Sequence, residues 1–174
     1  MALNKVKPGS NMYQFITHTW NPLAGECSHK CTYCSTYKLS KRYPVIAKKY
    51  SGPLHLDDSC MKDVFTSDQF IFVAAQNDLF SYEVSGCVIL DVLNHCRKYD
   101  AKYLFQTKNP GRILDYLGQI PKNSVICTTI ETNRWYPEIM GNCPRPIQRS
   151  GAMDRISKYF KTYVTIEPIM DFDL

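Results

Sequence analysis

Cys27, Cys31 and Cys34 fall in the run Cys27-Ser28-His29-Lys30-Cys31-Thr32-Tyr33-Cys34, a C-x3-C-x2-C spacing. Thiolates hold iron–sulfur clusters, and a cubane cluster ordinarily takes four of them. Three thiolates on one loop hold three irons of a 4Fe-4S cluster. The remaining iron stays open, as catalytic metal sites keep a position vacant. Such an iron accepts a ligand that offers an amino and a carboxylate group. A zinc site is the competing use of the same thiolates. Zinc would need a further ligand, for which His29, His18 and Cys60 are the candidates. No second C-x2-C or H-x3-H pair supplies the other half of a structural zinc site.

Residues 13–19 read as the strand that delivers the cysteines. Residues 70–75 (F-I-F-V-A-A), 102–106, 125–130 and 163–166 read as later strands. Ser81 is the expected cap of a helix whose apolar positions are Val84, Val88, Ile89, Val92, Leu93 and Cys96. Asn109 and Pro110 open a second helix, and a third is expected over 151–160. Near-continuous apolar strands alternating with helices imply a parallel sheet buried on both faces. An eight-stranded barrel typically needs about 250 residues. The expected fold is therefore α/β, a partial (βα) barrel of about five parallel strands with outer helices. Gln76-Asn77-Asp78, Thr107-Lys108-Asn109, Glu131-Thr132-Asn133 and Glu167 all follow strands. In parallel α/β folds those ends converge on the functional site.

The chain has 174 residues, eight cysteines and a net charge of +5. The length suits one domain, 1–174, with residues 1–11 as a flexible N-terminus. No apolar run has the length of a membrane span, and no signal-peptide core precedes the first strand. A cytoplasmic setting follows, and in a reducing compartment clustered cysteines bind metal rather than pair. Ser/His/Asp arrangements, a phosphate-binding glycine loop and a dinucleotide fingerprint are absent, which excludes those enzyme classes.

The cysteine motif directly after a first strand resembles the radical S-adenosylmethionine superfamily. The resemblance extends to Thr19-Trp20-Asn21-Pro22, Asp78-Leu79-Phe80, Thr107-Lys108-Asn109-Pro110 and Glu167-Pro168, which look like an uncharacterised phage and bacterial branch. It implies a truncated radical-SAM-like barrel holding a 4Fe-4S cluster on Cys27, Cys31 and Cys34, with S-adenosyl-L-methionine on the open iron. It implies an enzyme generating a 5′-deoxyadenosyl radical, served by a flavodoxin- or ferredoxin-like electron donor. Tyr33 would then lie near the adenine. Gln76, Asn77 or Asp78 would hold the amino group, although no Gly-Gly-Glu stands there. Lys108 would pair with the carboxylate, Thr129 and Glu131 would meet the ribose, and Glu167 would touch cofactor or substrate.

Residues 38–50 are basic and aromatic, and Arg145, Arg149, Arg155, Lys158 and Lys161 form a second basic stretch. Such interleaving suits phosphate contacts and base stacking, so nucleic acid is an expected partner. The plainer reading is a solvated charged face. Asp78 has a plainer role as a helix cap, and Glu131 and Glu167 as partners of an arginine such as Arg134. The last strand would leave an open sheet edge, which calls for a homo-oligomer or a partner chain. Three function classes stay open: a radical enzyme, a zinc-stabilised nucleic-acid-binding module, and a non-catalytic iron–sulfur protein.

Overall fold

The apolar runs form a six-stranded sheet. The computed structural model describes residues 3–173. The sheet contains β1 (Leu3–Lys5), β2 (His18–Trp20), β5 (Phe70–Val73), β6 (Lys102–Gln106), β7 (Ser124–Thr129) and β8 (Lys161–Thr165), side by side in that order. β1 runs antiparallel to β2 and the other neighbours are parallel. A separate two-stranded ladder joins β3 (Leu23–Ala24) to β4 (His55–Leu56). The molecule is thus mixed α/β with a mostly parallel sheet. Among the described residues no helix is long and apolar enough to cross a membrane.

Alternation along the strands gives the sheet two different faces. Trp20, Ile71, Val73, Tyr103, Phe105 and Ile126 belong to the main core. They share it with helix α3 (Gly86–Arg97), which contributes Ile89, Val92, Leu93 and Cys96. Those four recur at helical spacing and form one buried stripe. The opposite face carries Phe72, Leu104 and Cys127, covered by the chain's own Val6, Met12, Tyr13 and Ile16. Tyr13 and Phe15 also meet Tyr163 of β8 edge-on.

Several expected boundaries shift. Of the N-terminus expected to be flexible, Met1 and Ala2 lie outside the described residues, whereas Leu3–Lys5 is a sheet strand. The α3 cap is Ser85, whose hydroxyl accepts from the Val88 amide at 3.3 Å, not Ser81. Ser81 sits in the preceding turns, which bury Leu79, Phe80 and Val84 before the helix starts. The helix expected after Asn109 is a 3₁₀ segment, Pro110–Tyr116. The last helix, α5 (Pro146–Ile156), begins earlier than expected, because Pro146 supplies the first turn and Gln148 accepts from the Arg145 amide at 2.9 Å. β8 is an edge strand with Tyr163 and Val164 exposed.

Candidate functional site

Parallel pairing brings the ends of β2, β5, β6 and β7 to one rim, and the cysteine loop lies there. The loop opens at Gly25, held at φ +88°, where a Cβ would run into the Pro53 carbonyl. The Gly25 amide donates to the Lys49 carbonyl at 2.8 Å, and its carbonyl accepts from Asn77 Nδ2 at 3.1 Å. Gln76 is tied similarly, by its amide to Asn21 Oδ1 at 3.1 Å and by its Oε1 to the Tyr50 hydroxyl at 2.7 Å. Gln76 and Asn77 therefore fix the base of the loop.

Asp78 is the buried bolt of the rim. Its Oδ2 accepts from the Lys108 amide at 2.8 Å and meets His29 Nε2 at 2.8 Å; its Oδ1 accepts from the Phe80 amide at 2.9 Å. One carboxylate thus joins the cysteine loop to the ends of β5 and β6. Burial by itself would raise the Asp78 carboxyl pKa, but the His29 ring and the Lys108 amide outweigh it and hold it below the usual range. For His29, burial would lower the pKa, and the Asp78 carboxylate reverses the sign and raises it. His29 Nδ1 is buried and has no hydrogen-bond partner.

The Asp78–His29 pair carries a pH signature. The Asp78 contribution is complete above the ordinary carboxylate pKa and is lost as pH falls through the depressed value. The His29 contribution is complete below the ordinary imidazole pKa and is lost as pH rises through the raised value. Both are in place between roughly pH 4 and pH 6.5. Asp78→Asn is expected to cost about 3 kcal/mol at pH 6, because it removes the carboxylate that holds the buried His29 protonated. It should also flatten the pH dependence of stability, read by urea unfolding across that range. An unchanged pH profile would remove the pair as a stabilising unit.

A second cluster faces the loop. The Tyr33 hydroxyl donates to Glu131 Oε1. Lys108 Nζ lies 3.9 Å from the same oxygen and 4.7 Å from the centre of the Tyr33 ring. Glu131 Oε2 is paired with Arg149 at 2.8 Å, and both side chains are fully buried. Arg149 also donates to the Thr129 carbonyl. Thr129 Oγ1 accepts from Gln106 Nε2 at 3.1 Å and contacts Thr165 Oγ1 at 3.2 Å. Tyr33, Lys108 and the Thr129–Glu131 end of β7, three separate segments, are thus brought together. Glu167 is exposed. Arg134 is not the partner of Glu131; it pairs with Asp171 and Asp173 of the C-terminal tail. Arg149 is no surface cation of a basic stretch but a buried one.

All three motif cysteines are free thiols; Cys31 is buried, and Cys27 and Cys34 are half-buried. Cys31 Sγ lies 3.3 Å from Cys143 Sγ. The Cys143 hydrogen bond, helped by Lys108 and His29 against burial, lowers the Cys31 pKa to about 6. Burial and the Asp78 charge push the Cys27 thiol up to about 12. Among the described residues no three His, Cys, Asp or Glu side chains stand close enough to hold a metal together. Ligation therefore requires the three thiols to turn toward one another, with Cys31 leaving Cys143. In number and chemistry the donor set fits a three-thiolate cluster, with a cationic lysine beside it.

The sequence reading places His29 as a candidate zinc ligand and Arg149 in a basic stretch, and it misses the partners of His29, Arg149 and Cys143. Arg149 had a signal: with Ala152, Met153 and Ile156 it follows the buried stripe of α5. The pairings of His29 with Asp78 and of Cys143 with Cys31 had none, since the partners are distant in sequence.

These features define a class: an α/β protein with a mostly parallel sheet and a cysteine loop at the rim formed by its strand ends. Residues 10–171 match the family model described as a protein of unknown function, DUF5131, and the chain belongs to that family. No curated protein and no solved structure matches it.

Proposed function

We propose that this protein is a radical S-adenosylmethionine enzyme built on a partial barrel. The observation that carries this reading is the meeting of Tyr33, Lys108 and Glu131, from three separate segments, beside Cys31. The sequential order of the parallel strands, β2 to β8, supports the partial barrel, since right-handed crossovers in one direction keep successive connections on one side.

Cys27, Cys31 and Cys34 would hold a 4Fe-4S cluster. When bound, the cluster supplies one electron to S-adenosylmethionine, whose cleavage yields a radical able to abstract hydrogen from a substrate. The chain's own residues bind and orient. The Lys108 ammonium offers a point charge to a carboxylate. The Tyr33 ring offers an apolar surface to an aromatic base. Glu131, held by Arg149, would offer its Oε1 to hydroxyl groups once the Tyr33 hydroxyl leaves it. Asp78 locks the cysteine loop against the sheet through His29.

The test is anaerobic reconstitution with iron and sulfide, reduction in the presence of S-adenosylmethionine, and chromatography for 5′-deoxyadenosine. Its formation supports the reading. A cluster without cleavage favours a non-catalytic iron–sulfur protein. Uptake of zinc alone would replace it with a zinc-stabilised module.

The substrate side of the reading is nucleic acid. Helix α1 (Ser35–Arg42) starts directly after Cys34, and α2 (Pro44–Lys49) follows it; neither buries a residue. From Ser35 to Lys49 there is no acidic residue. Lys38, Lys41, Arg42 and Lys48 are exposed and form no ion pair among the described residues, whereas Lys49 is tied to Asp57 at 2.9 Å. Lys41 lies over the Tyr37 ring at 4.9 Å and Arg42 over Tyr43 at 5.5 Å. Cations on exposed rings suit backbone contacts and base stacking. Lys41→Glu with Arg42→Glu should weaken binding of single-stranded RNA or DNA by roughly tenfold or more at low salt, and wild-type affinity should fall as salt rises. Absence of wild-type binding at low salt, read by fluorescence anisotropy, would exclude this substrate class.

A further inference from the structure

Cys143 follows Cys31 by 112 residues, yet their sulfurs lie 3.3 Å apart and both residues are buried. The backbone on both sides of this contact is fixed. The Thr32 amide and hydroxyl donate to the Ile139 carbonyl at 3.0 and 3.3 Å. The Asn142 amide donates to the His29 carbonyl at 2.7 Å, and Asn142 Nδ2 to the Ser28 carbonyl at 3.0 Å. Gly141, at φ +63°, allows that approach, since a Cβ there would run into the His29 carbonyl. Two other buried cysteines are placed differently: the Cys60 thiol faces the Asn21 carbonyl at 3.5 Å and the Cys127 thiol the Thr128 carbonyl at 3.8 Å.

We infer that Cys31 and Cys143 form an oxidative modification site, closed to a disulfide by a peroxide in the metal-free chain. A disulfide places its sulfurs ~2.05 Å apart, so these two need to approach by only roughly 1.2 Å. The Cys31 sulfur attacks one peroxide oxygen, breaking the O–O bond and giving a sulfenic acid and one water. The Cys143 sulfur then displaces the hydroxyl, forming the S–S bond and a second water. Two thiols lose two electrons and two protons, and the peroxide takes them up. The consequence rests on the cluster reading: a Cys31 held in a disulfide cannot ligate iron, so the oxidised chain must be reduced by a dithiol before it is loaded.

The test uses the full metal-free chain treated with hydrogen peroxide, blocked with N-ethylmaleimide and digested without reductant. Cleavage after Lys30 and Tyr33 separates Cys27, Cys31 and Cys34 into different peptides. The expected product is a Cys31–Cys143 linked peptide that dithiothreitol reverses. Peroxide-treated chain should lose its iron uptake and regain it on reduction. Cys143→Ser and Cys143→Ala should give no such link and should still load under reducing conditions. A link confined to Cys27, Cys31 and Cys34, or Cys31 oxidised to a sulfinic acid with Cys143 free, would overturn the inference. A Cys31–Cys143 link in a chain that takes up no iron after reduction upholds the modification site and sinks the cluster reading alone.

Discussion

Cys31→Ala is expected to abolish cluster assembly, and with it the formation of 5′-deoxyadenosine. Cys31 is the central thiol of the motif. Besides the Cys143 hydrogen bond, Lys108 and His29 lower its pKa against burial and so favour the thiolate, which is the form that binds iron. Lys108 comes from the end of β6, so the loop sequence alone does not prepare this thiol. Two thiols from one loop leave a cubane with two open irons, and such a cluster is not retained. The comparison is Cys87→Ala, which removes an exposed thiol on α3 and should leave iron and sulfide content unchanged. Iron and acid-labile sulfide per chain, with the absorbance near 400 nm, are read side by side. If Cys31→Ala loads as the wild type does, the three-cysteine site is wrong.

The second large effect concerns folding rather than chemistry. Arg149 and Glu131 are both fully buried, with 2.8 Å between Arg149 Nη1 and Glu131 Oε2. Removing one partner of a buried pair strands the other charge and costs about 3–5 kcal/mol. That is a large share of the roughly 5–15 kcal/mol by which native proteins are stable. At about 2–4 °C per kcal/mol for a chain of this size, Arg149→Met should lower the melting temperature by roughly 10 °C. Arg149→Met combined with Glu131→Gln should recover part of the loss, because no uncompensated carboxylate remains. A drop of less than about 2 °C for the single variant would mean that water reaches the pair, contrary to its burial.

Most strands were the legible part of the fold, although of the expected 13–19 only His18 and Thr19 pair in the sheet, because Tyr13 and Ile16 fold over its face instead. Phe70–Val73, Lys102–Gln106 and Ser124–Thr129 are apolar runs that tertiary packing reinforces, so their boundaries move by a residue or two. β1 was not legible, because Leu3-Asn4-Lys5 is too short and polar to carry a pattern; it becomes a strand only by pairing with β2. Ser81 and Ser85 are equally good caps by composition. Burial of Leu79, Phe80 and Val84 decides between them, and that is a property of the core. In the site, the polar residues after each strand were legible because a parallel sheet sends those ends to one rim. Their pairing was not. Glu131 takes Arg149, eighteen positions along, in preference to Arg134, three positions along, because α5 packs its buried face toward the end of β7 while Arg134 turns to the C-terminal tail.

The side-by-side order of the parallel strands has a kinetic consequence. Each strand pairs with the one before it, so the sheet can grow as the chain emerges, without waiting for distant segments. The clamp from residues 139–142 to the cysteine loop is the exception, and it spans more than a hundred residues. Until that segment has been synthesised, the loop lacks the cover that buries Cys31. The interval between translation of the motif and docking of the clamp is therefore the time at which the three motif thiols are most open.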